Sequence, residues 1–290
     1  MAECVWHYPA ETLYSKLSLM NNRHIAVCSW SLRPKNPSEL ISRAKSCGIS
    51  SIQLALNPLV ADEAWSDAES ELSQAGLSIM SGMLEATGED YTSLETIAET
   101  GGVRPDGTWE QTWQNAQAVA QKAQSMNLGL VTFHAGFFPE DACQERTKMI
   151  ERLRQILTCF DDCGVNLAFE TGQENARNLI TVLEELNHPT LGVNFDPANM
   201  ILYGQGDPID AVHLLAPWIK QVHIKDAKHA EVVGTWGIEV PAGTGDFCWK
   251  TFLSCVPDGI NLVIEREGGD QRVEDVQQAL GMLRELGECE

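Results

Sequence analysis

From about residue 24 onward, short apolar runs alternate with amphipathic helical patterns eight times in succession. Such alternation calls for parallel strands joined by helical crossovers, because a parallel pair cannot be closed by a tight hairpin. Eight units fit a closed barrel better than an open sheet, and 290 residues suffice for a barrel that needs about 250. An open doubly wound sheet would carry a Gly-rich phosphate turn after an early strand, whereas the first run here exits into Ser29-Trp30-Ser31-Leu32-Arg33-Pro34. The expected fold is α/β: a (β/α)8 TIM barrel forming a single catalytic domain over 24–290. An N-terminal extension over 1–23 is expected to cover one end.

Strands are expected at 24–30, 49–56, 77–84 and 128–134, and then as four runs ending at residues 170, 196, 223 and 265. Helices are expected to begin at Pro37 and to span 62–75, 109–126, 141–163, 208–215, 247–255 and 273–286, with another reaching Leu186. Two connections, 85–108 and 225–246, are long for βα loops. Both follow strands, so both belong to the face where barrel active sites form, as candidate lids.

Each of the last four strands ends in one metal-binding side chain: Glu170, Asp196, His223 and Glu265. In a parallel barrel those ends converge, so three carboxylates and one imidazole can meet around one divalent cation. A single polar residue at a strand end is commonly solvated or capping; four ligand types in equivalent positions on consecutive strands point to a metal. Three acids and one His suit Mn²⁺ first, with Mg²⁺, Co²⁺ or Zn²⁺ as alternatives.

Other residues face the same mouth as candidates for substrate binding. Lys225 shares the inward face of its strand with His223 and is placed to hold a substrate oxygen, or to pair with Asp226 or Asp196. His134 and Glu85 close the fourth and third strands. Asn199 follows Asp196 by three residues, to orient it, touch substrate or cap a turn. Trp30, with Trp236, Phe137 and Phe138, offers an apolar wall for a sugar face. Arg266 should point away from Glu265 into a supporting salt bridge, and Trp109 and Trp113 read as packing.

A net charge of −21 makes nucleic acid and membrane surfaces poor partners. No apolar run is long enough to span a bilayer, and no secretory leader is evident. Nine cysteines without framework spacing suggest free thiols in a reducing cytoplasm, with Cys28, Cys47, Cys143, Cys248 and Cys255 in the core. A homo-oligomer is left open.

Glu170, Asp196, His223-Ile224-Lys225-Asp226, Pro241-Ala242-Gly243-Thr244-Gly245-Asp246-Phe247 and Ile264-Glu265-Arg266 resemble the xylose-isomerase-like TIM-barrel superfamily, in particular its sugar phosphate isomerase/epimerase branch. That branch includes ketose 3-epimerases, hydroxypyruvate isomerases and inosose dehydratases. The resemblance implies that Glu170, Asp196, His223 and Glu265 hold the metal. It further implies that Glu170 and Glu265 form the acid/base pair of a keto-sugar or polyol isomerase or epimerase, working through a metal-stabilised cis-enediolate. The epimerase pattern has a His and an Arg near the sixth and seventh strands where this chain has Asn199 and Lys225. Two alternatives accompany this expectation. One is a dehydratase or lyase, inosose-dehydratase-like or keto-glycoside-eliminating, using the same enolate; the other is a non-catalytic sugar-binding subunit of a partner enzyme. A DNA-repair endonuclease of the superfamily needs a His where Asn199 stands and an Asp-x-His pair that Asp226-Ala227-Lys228-His229 does not provide.

Overall fold

A computed structural model of the chain describes residues 23–289. The expected extension falls almost wholly outside the described residues. The strands are β1 Ile25–Cys28, β2 Ser51–Ala55, β3 Ser78–Met83, β4 Leu130–Phe133, β5 Asn166–Glu170, β6 Leu191–Phe195, β7 Ile219–Ile224, β8 Asp226–Lys228, β9 Ile238–Val240 and β10 Asn261–Ile264. Eight of them close a parallel barrel in the order β1-β10-β7-β6-β5-β4-β3-β2, and β8 and β9 form a separate antiparallel hairpin. The fold is a (β/α)8 TIM barrel.

The helices are α1 Pro37–Cys47, α2 Asn57–Ala61, α3 Ala68–Gln74, α4 Leu94–Thr100, α5 Asp106–Ser125, α6 Gln144–Asp162, α7 Ala176–Leu186, α8 Pro197–Leu202, α9 Pro208–Leu215, α10 Trp249–Cys255 and α11 Arg272–Glu285. Local chemistry sets their ends. At α1, Pro37 occupies the first turn, the Asn36 side chain accepts from the Glu39 N–H, and Gly48 closes the helix at φ 75°.

Three expectations need correction. The single helix expected over 62–75 is broken. Pro58 starts α2 directly after β2, and the Asp62 carboxylate then caps a 3₁₀ turn, Glu63–Trp65, before α3. The connection 85–108 contains α4, nucleated by a capping box between Ser93 and Thr96, a form easily overlooked because Thr replaces the usual Glu or Gln. The connection 225–246 contains the β8–β9 hairpin. Both candidate lids therefore carry secondary structure of their own. Ile97 of α4, Ala198 and Ile201 of α8, and Ala227 of β8 belong to one apolar cluster joined by Trp236.

The alternation of the barrel strands separates two environments. Ile52 and Leu54, Leu167 and Phe169, Val193 and Phe195, and Leu262 and Ile264 join the main core, to which the surrounding helices contribute. The inward positions are largely polar. Gln53 donates to Thr132 Oγ1 at 2.8 Å, Ser81 donates to Gln221 Oε1 at 2.7 Å, and the Gln221 amide donates to Gln53 Oε1 and Asn194 Oδ1 at 3.0 and 3.1 Å. Gln53 and Asn194 sit at the two register shifts of the barrel, where an irregularity re-aims a side chain.

The free thiols divide by position. Cys28 and Cys47 are buried, as expected. Cys143 and Cys248 are exposed and Cys255 is partly so, because each lies at a helix terminus rather than on an apolar face. Phe138 packs in the main core rather than on a pocket wall. Arg266 is held by Glu239 and Asp275 at 2.6 and 2.8 Å, and Trp109 stacks on Trp113. No helix among the described residues is long and apolar enough to cross a membrane.

Candidate metal centre

One ligand-type atom from each of Glu170, Asp196, His223 and Glu265 can be chosen so that all four lie within 4.8 Å of one another, and all four residues are buried. Glu170 is the last residue of β5, His223 is the penultimate residue of β7, and Glu265 follows β10. Asp196 follows β6 and caps α8: its Oδ1 accepts from the Ala198 and Asn199 N–H groups at 2.8 and 3.0 Å. That fixes the carboxylate and turns Oδ2 towards the barrel axis, 3.8 Å from His223 Nδ1.

His223 Nδ1 lies 3.4 Å from Glu170 Oε1 and 3.2 Å from Glu265 Oε2. Neither Nδ1 nor Asp196 Oδ2 has a hydrogen-bond partner, although both are buried. An orphaned nitrogen and an orphaned oxygen turned towards the same two carboxylates form a donor set that a hard or intermediate cation completes. The far side of the imidazole supports this. Nε2 lies 2.8 Å from Gln53 Oε1, so an Nε2–H donated there leaves the Nδ1 lone pair free for a metal. Replacing Gln53 with Leu removes that acceptor without touching a ligand. The expected outcome, read by titration with Mn²⁺, is a 10- to 100-fold (order-of-magnitude) loss of affinity.

Charge balance is tight. Lys225 Nζ is buried and donates to Glu265 Oε2 at 3.0 Å, Glu267 Oε2 at 2.5 Å and Asn199 Oδ1 at 3.1 Å, and it lies 3.6 Å from Asp196 Oδ2. Burial disfavours the charged forms, but Lys225 and His223 hold the Glu265 carboxyl well below the usual range. The same burial pushes the Asp196 carboxyl up to about 6 despite Lys225. Burial also opposes the charge on Lys225, and Glu265, Glu267 and Asp196 overcome it to raise its pKa well above normal.

The remaining sequence candidates fall around this centre in different ways. Asn199 donates to Glu170 Oε1 at 3.0 Å while accepting from Lys225, so it links two site residues; the capping role belongs to Asp196. Gly172, at φ 124°, passes so close that a Cβ there would run into Asn199. Trp30 lies on a 3₁₀ turn beyond the end of β1, and its indole N–H donates to Glu265 Oε1 at 2.7 Å. His134 Nε2 lies 3.6 Å from Glu170 Oε1, with Nδ1 unpartnered. Glu85 is exposed; its backbone exchanges hydrogen bonds with the Asn57 side chain, and the residue lines the cavity.

That cavity, about 250 Å³, reaches Glu265 and Trp30 at its floor. It adjoins a second space of about 460 Å³, and the two share Tyr91, His134 and Glu267. Sequence reasoning missed Glu267, Glu89, Tyr91, Gln53 and Asn194. Three of these had a signal: Glu267 follows Glu265 by two, and Gln53 and Asn194 interrupt apolar neighbours at inward positions. Glu89 and Tyr91 come from an irregular connection and had none.

Glu174, in the loop after β5, is buried, and burial pushes its carboxyl up to about 8. The unfolded chain ionises this group near pH 4.5, so between 4.5 and 8 unfolding releases a proton and stability falls as pH rises. Replacing Glu174 with Gln should leave stability unchanged near pH 4 and raise it by a few kcal/mol (order of magnitude) at pH 8, read by denaturant unfolding.

With this geometry in place, comparison with known proteins is decisive for the family. The profile of the xylose isomerase-like TIM barrel family matches residues 41–286. The chain belongs to that family. Among curated proteins, residues of this chain align with the uncharacterized protein YihM of Escherichia coli K12 at 35% identity over 104 residues, which is 34% of this chain and only 32% of that one. A xylose isomerase domain protein from Planctomyces limnophilus superposes with TM-score 0.80 at 30% identity, covering 85% of this chain and 91% of the other. Two more distant structures share the fold. The probable 3-DHS dehydratase AsbF from Bacillus anthracis has TM-score 0.71, 19% identity and coverage of 90% and 98%. D-psicose 3-epimerase with D-tagatose from Clostridium cellulolyticum H10 has TM-score 0.67, 14% identity and coverage of 92% and 100%.

Proposed function

We propose that this protein is a divalent-metal-dependent enzyme that moves a proton on a carbon next to a carbonyl of a keto-sugar or polyol, as an isomerase or epimerase. The observation that carries the reading is the pair of buried, unpartnered atoms, Asp196 Oδ2 and His223 Nδ1, grouped with Glu170 and with Glu265, which lines a cavity. Relatives of this fold that include an epimerase and a probable dehydratase support enzyme activity.

A bound divalent ion, with Mn²⁺ the best fit to this donor set, would supply Lewis-acid stabilisation of negative charge developing on substrate oxygens. Glu170, Asp196, His223 and Glu265 would hold it. Glu170 and Glu265 come from strands three places apart in the barrel and approach His223 Nδ1 with different oxygens. One takes the proton from carbon and the other returns one. Lys225 keeps Glu265 ionised, as a base requires. His134 and Asn199 position Glu170, and His134 also reaches the cavity, where it can bind a substrate hydroxyl.

One contact favours a second outcome. Lys225 donates directly to Glu265, so a cation stands beside the base and can stabilise negative charge on a departing hydroxyl by a hydrogen bond. The same intermediate would then eliminate water, giving a dehydratase. Incubating the Mn²⁺-loaded protein in D2O with ketoses, inososes and keto-glycosides separates these outcomes. The expected result is deuterium at carbon without loss of water or a glycosyl group. An unsaturated product assigns the dehydratase reading, and absence of label with every compound contradicts both.

A further inference from the structure

One buried thiol stands beside the metal centre and has no part in the proposed proton transfer. Cys28 ends β1, and its side chain is fully buried. The pairing of β1 with β10 sets Ala26 beside Val263 and Val27 beside Ile264, so the next step along the two strands brings Cys28 alongside Glu265. Val27 and Ile264 belong to the helix-covered core, whereas Ala26, Cys28 and Val263 form a separate cluster, so Cys28 is on the inward side of its strand. Its Sγ lies 3.8 Å from His223 Nε2 and donates to Gln53 Oε1 at 3.5 Å. One ligand-type atom from each of Cys28, His223 and Glu265 can be chosen so that the three lie within 4.8 Å of one another, and all three residues are buried. This group shares His223 and Glu265 with the four-residue group and differs in what completes it: a thiol in place of the Glu170 and Asp196 carboxylates. His223 Nδ1, buried and without a hydrogen-bond partner, lies 3.2 Å from Glu265 Oε2, so the edge common to both groups is one that a cation satisfies.

We infer that Cys28, His223 and Glu265 form a second, overlapping ligand set for a thiophilic divalent cation, Zn²⁺ or Cd²⁺, and that a cation held there excludes Mn²⁺ from the carboxylate set. Sulfur is a soft donor that favours such ions, whereas carboxylates suit the harder Mn²⁺ and Mg²⁺. One thiolate, one imidazole and one carboxylate make three protein ligands, the number that zinc takes when a fourth position stays open. A sulfur and a nitrogen on one tetrahedral zinc stand about 3.6 Å apart, close to the 3.8 Å between Sγ and Nε2. Ligation requires the thiolate, so the Cys28 proton leaves to solvent as the sulfur–metal bond forms. A neutral imidazole carries one lone pair, so His223 serves one cation at a time and the two sets fill alternately. The inference goes beyond the reading of a Mn²⁺ enzyme and rests on it only for the ion that is displaced.

The test uses the full chain, metal-free, with its exposed thiols first alkylated by iodoacetamide and Cys28 verified as unmodified by mass spectrometry. It is titrated with Cd²⁺ while thiolate-to-cadmium charge-transfer absorption is followed in the ultraviolet. The expected result is a band that saturates at one Cd²⁺ per chain. In Cys28→Ser and Cys28→Ala the band should be missing and Cd²⁺ should bind at least about tenfold more weakly, while Mn²⁺ affinity stays within about threefold of the parent. Added to Mn²⁺-loaded parent, Cd²⁺ should release Mn²⁺ one for one, read from the electron paramagnetic resonance of the free ion, and both variants should need at least about tenfold more Cd²⁺ for the same release. If the parent binds no Mn²⁺ but shows the band and loses it with the thiol, the Mn²⁺-enzyme reading fails and the thiol set stands. No band in the parent, a band that survives in both variants, or loss of Mn²⁺ binding together with Cd²⁺ binding in both overturns the inference.

Discussion

Replacing Glu170 or Glu265 with Gln should lower turnover by about a thousandfold or more, with folding intact. The amide keeps the shape of the carboxylate but removes both its charge and its ability to accept a proton. Each glutamate has neighbours that fix it from outside: Asn194 and Asn199 for Glu170, Trp30 and Lys225 for Glu265. Those partners are all donors, so an amide nitrogen would oppose one of them, and a modest loss of stability should accompany the loss of activity. The measurement is kcat at saturating Mn²⁺, beside the thermal midpoint of each variant. Near-normal kcat in either variant would refute the acid/base assignment. Equal loss in both is expected, because the two residues serve one proton transfer from opposite sides.

The second large effect concerns stability. Replacing Lys225 with Met keeps most of the side chain's length but removes the only Lys or Arg in contact with Asp196 and Glu265 among the described residues. Breaking a buried ion pair from one side leaves uncompensated carboxylates, a loss of about 3–5 kcal/mol. In a chain of this size that corresponds to a fall in thermal midpoint of about 10 °C. Added Mn²⁺ should recover part of the loss, because a cation among Glu170, Asp196 and Glu265 takes over the neutralisation. A midpoint within about 1 °C of the parent, with or without Mn²⁺, would show that Lys225 does not carry this balance.

The barrel and the four converging ligand types were readable because both follow from period and position. In Leu191–Phe195 the outward Val193 and Phe195 mark a helix-covered strand, and Asp196 then falls on the inward side at its end. The same logic placed Lys225 beside His223. It also contained Gln53 and Asn194, polar residues flanked by apolar ones, but the two register shifts that aim them lie in strand pairing, which one sequence does not display. Trp30 was expected to be a wall because its ring is apolar; it lines the cavity, and its indole N–H also donates to Glu265, a contact across 235 positions that no local pattern reports. Cys143 and Cys248 were misplaced because apolar neighbours along the chain do not determine burial at a helix terminus. Glu89 and Tyr91 were invisible for a related reason. They reach the cavity from an irregular segment whose path is set by Gly102 and α4, so no periodicity reports their direction.

The proposed proton transfer requires one divalent cation held by Glu170, Asp196, His223 and Glu265. Titration of metal-free protein with Mn²⁺, followed by the electron paramagnetic resonance of the free ion, tests this most directly when done in parallel on the parent and on Asp196→Asn and His223→Ala variants. The predicted result is one Mn²⁺ per chain in the parent and at least a hundredfold (order-of-magnitude) weaker binding in each variant. No saturable binding in the parent, or one ion bound equally well by all three proteins, would contradict it.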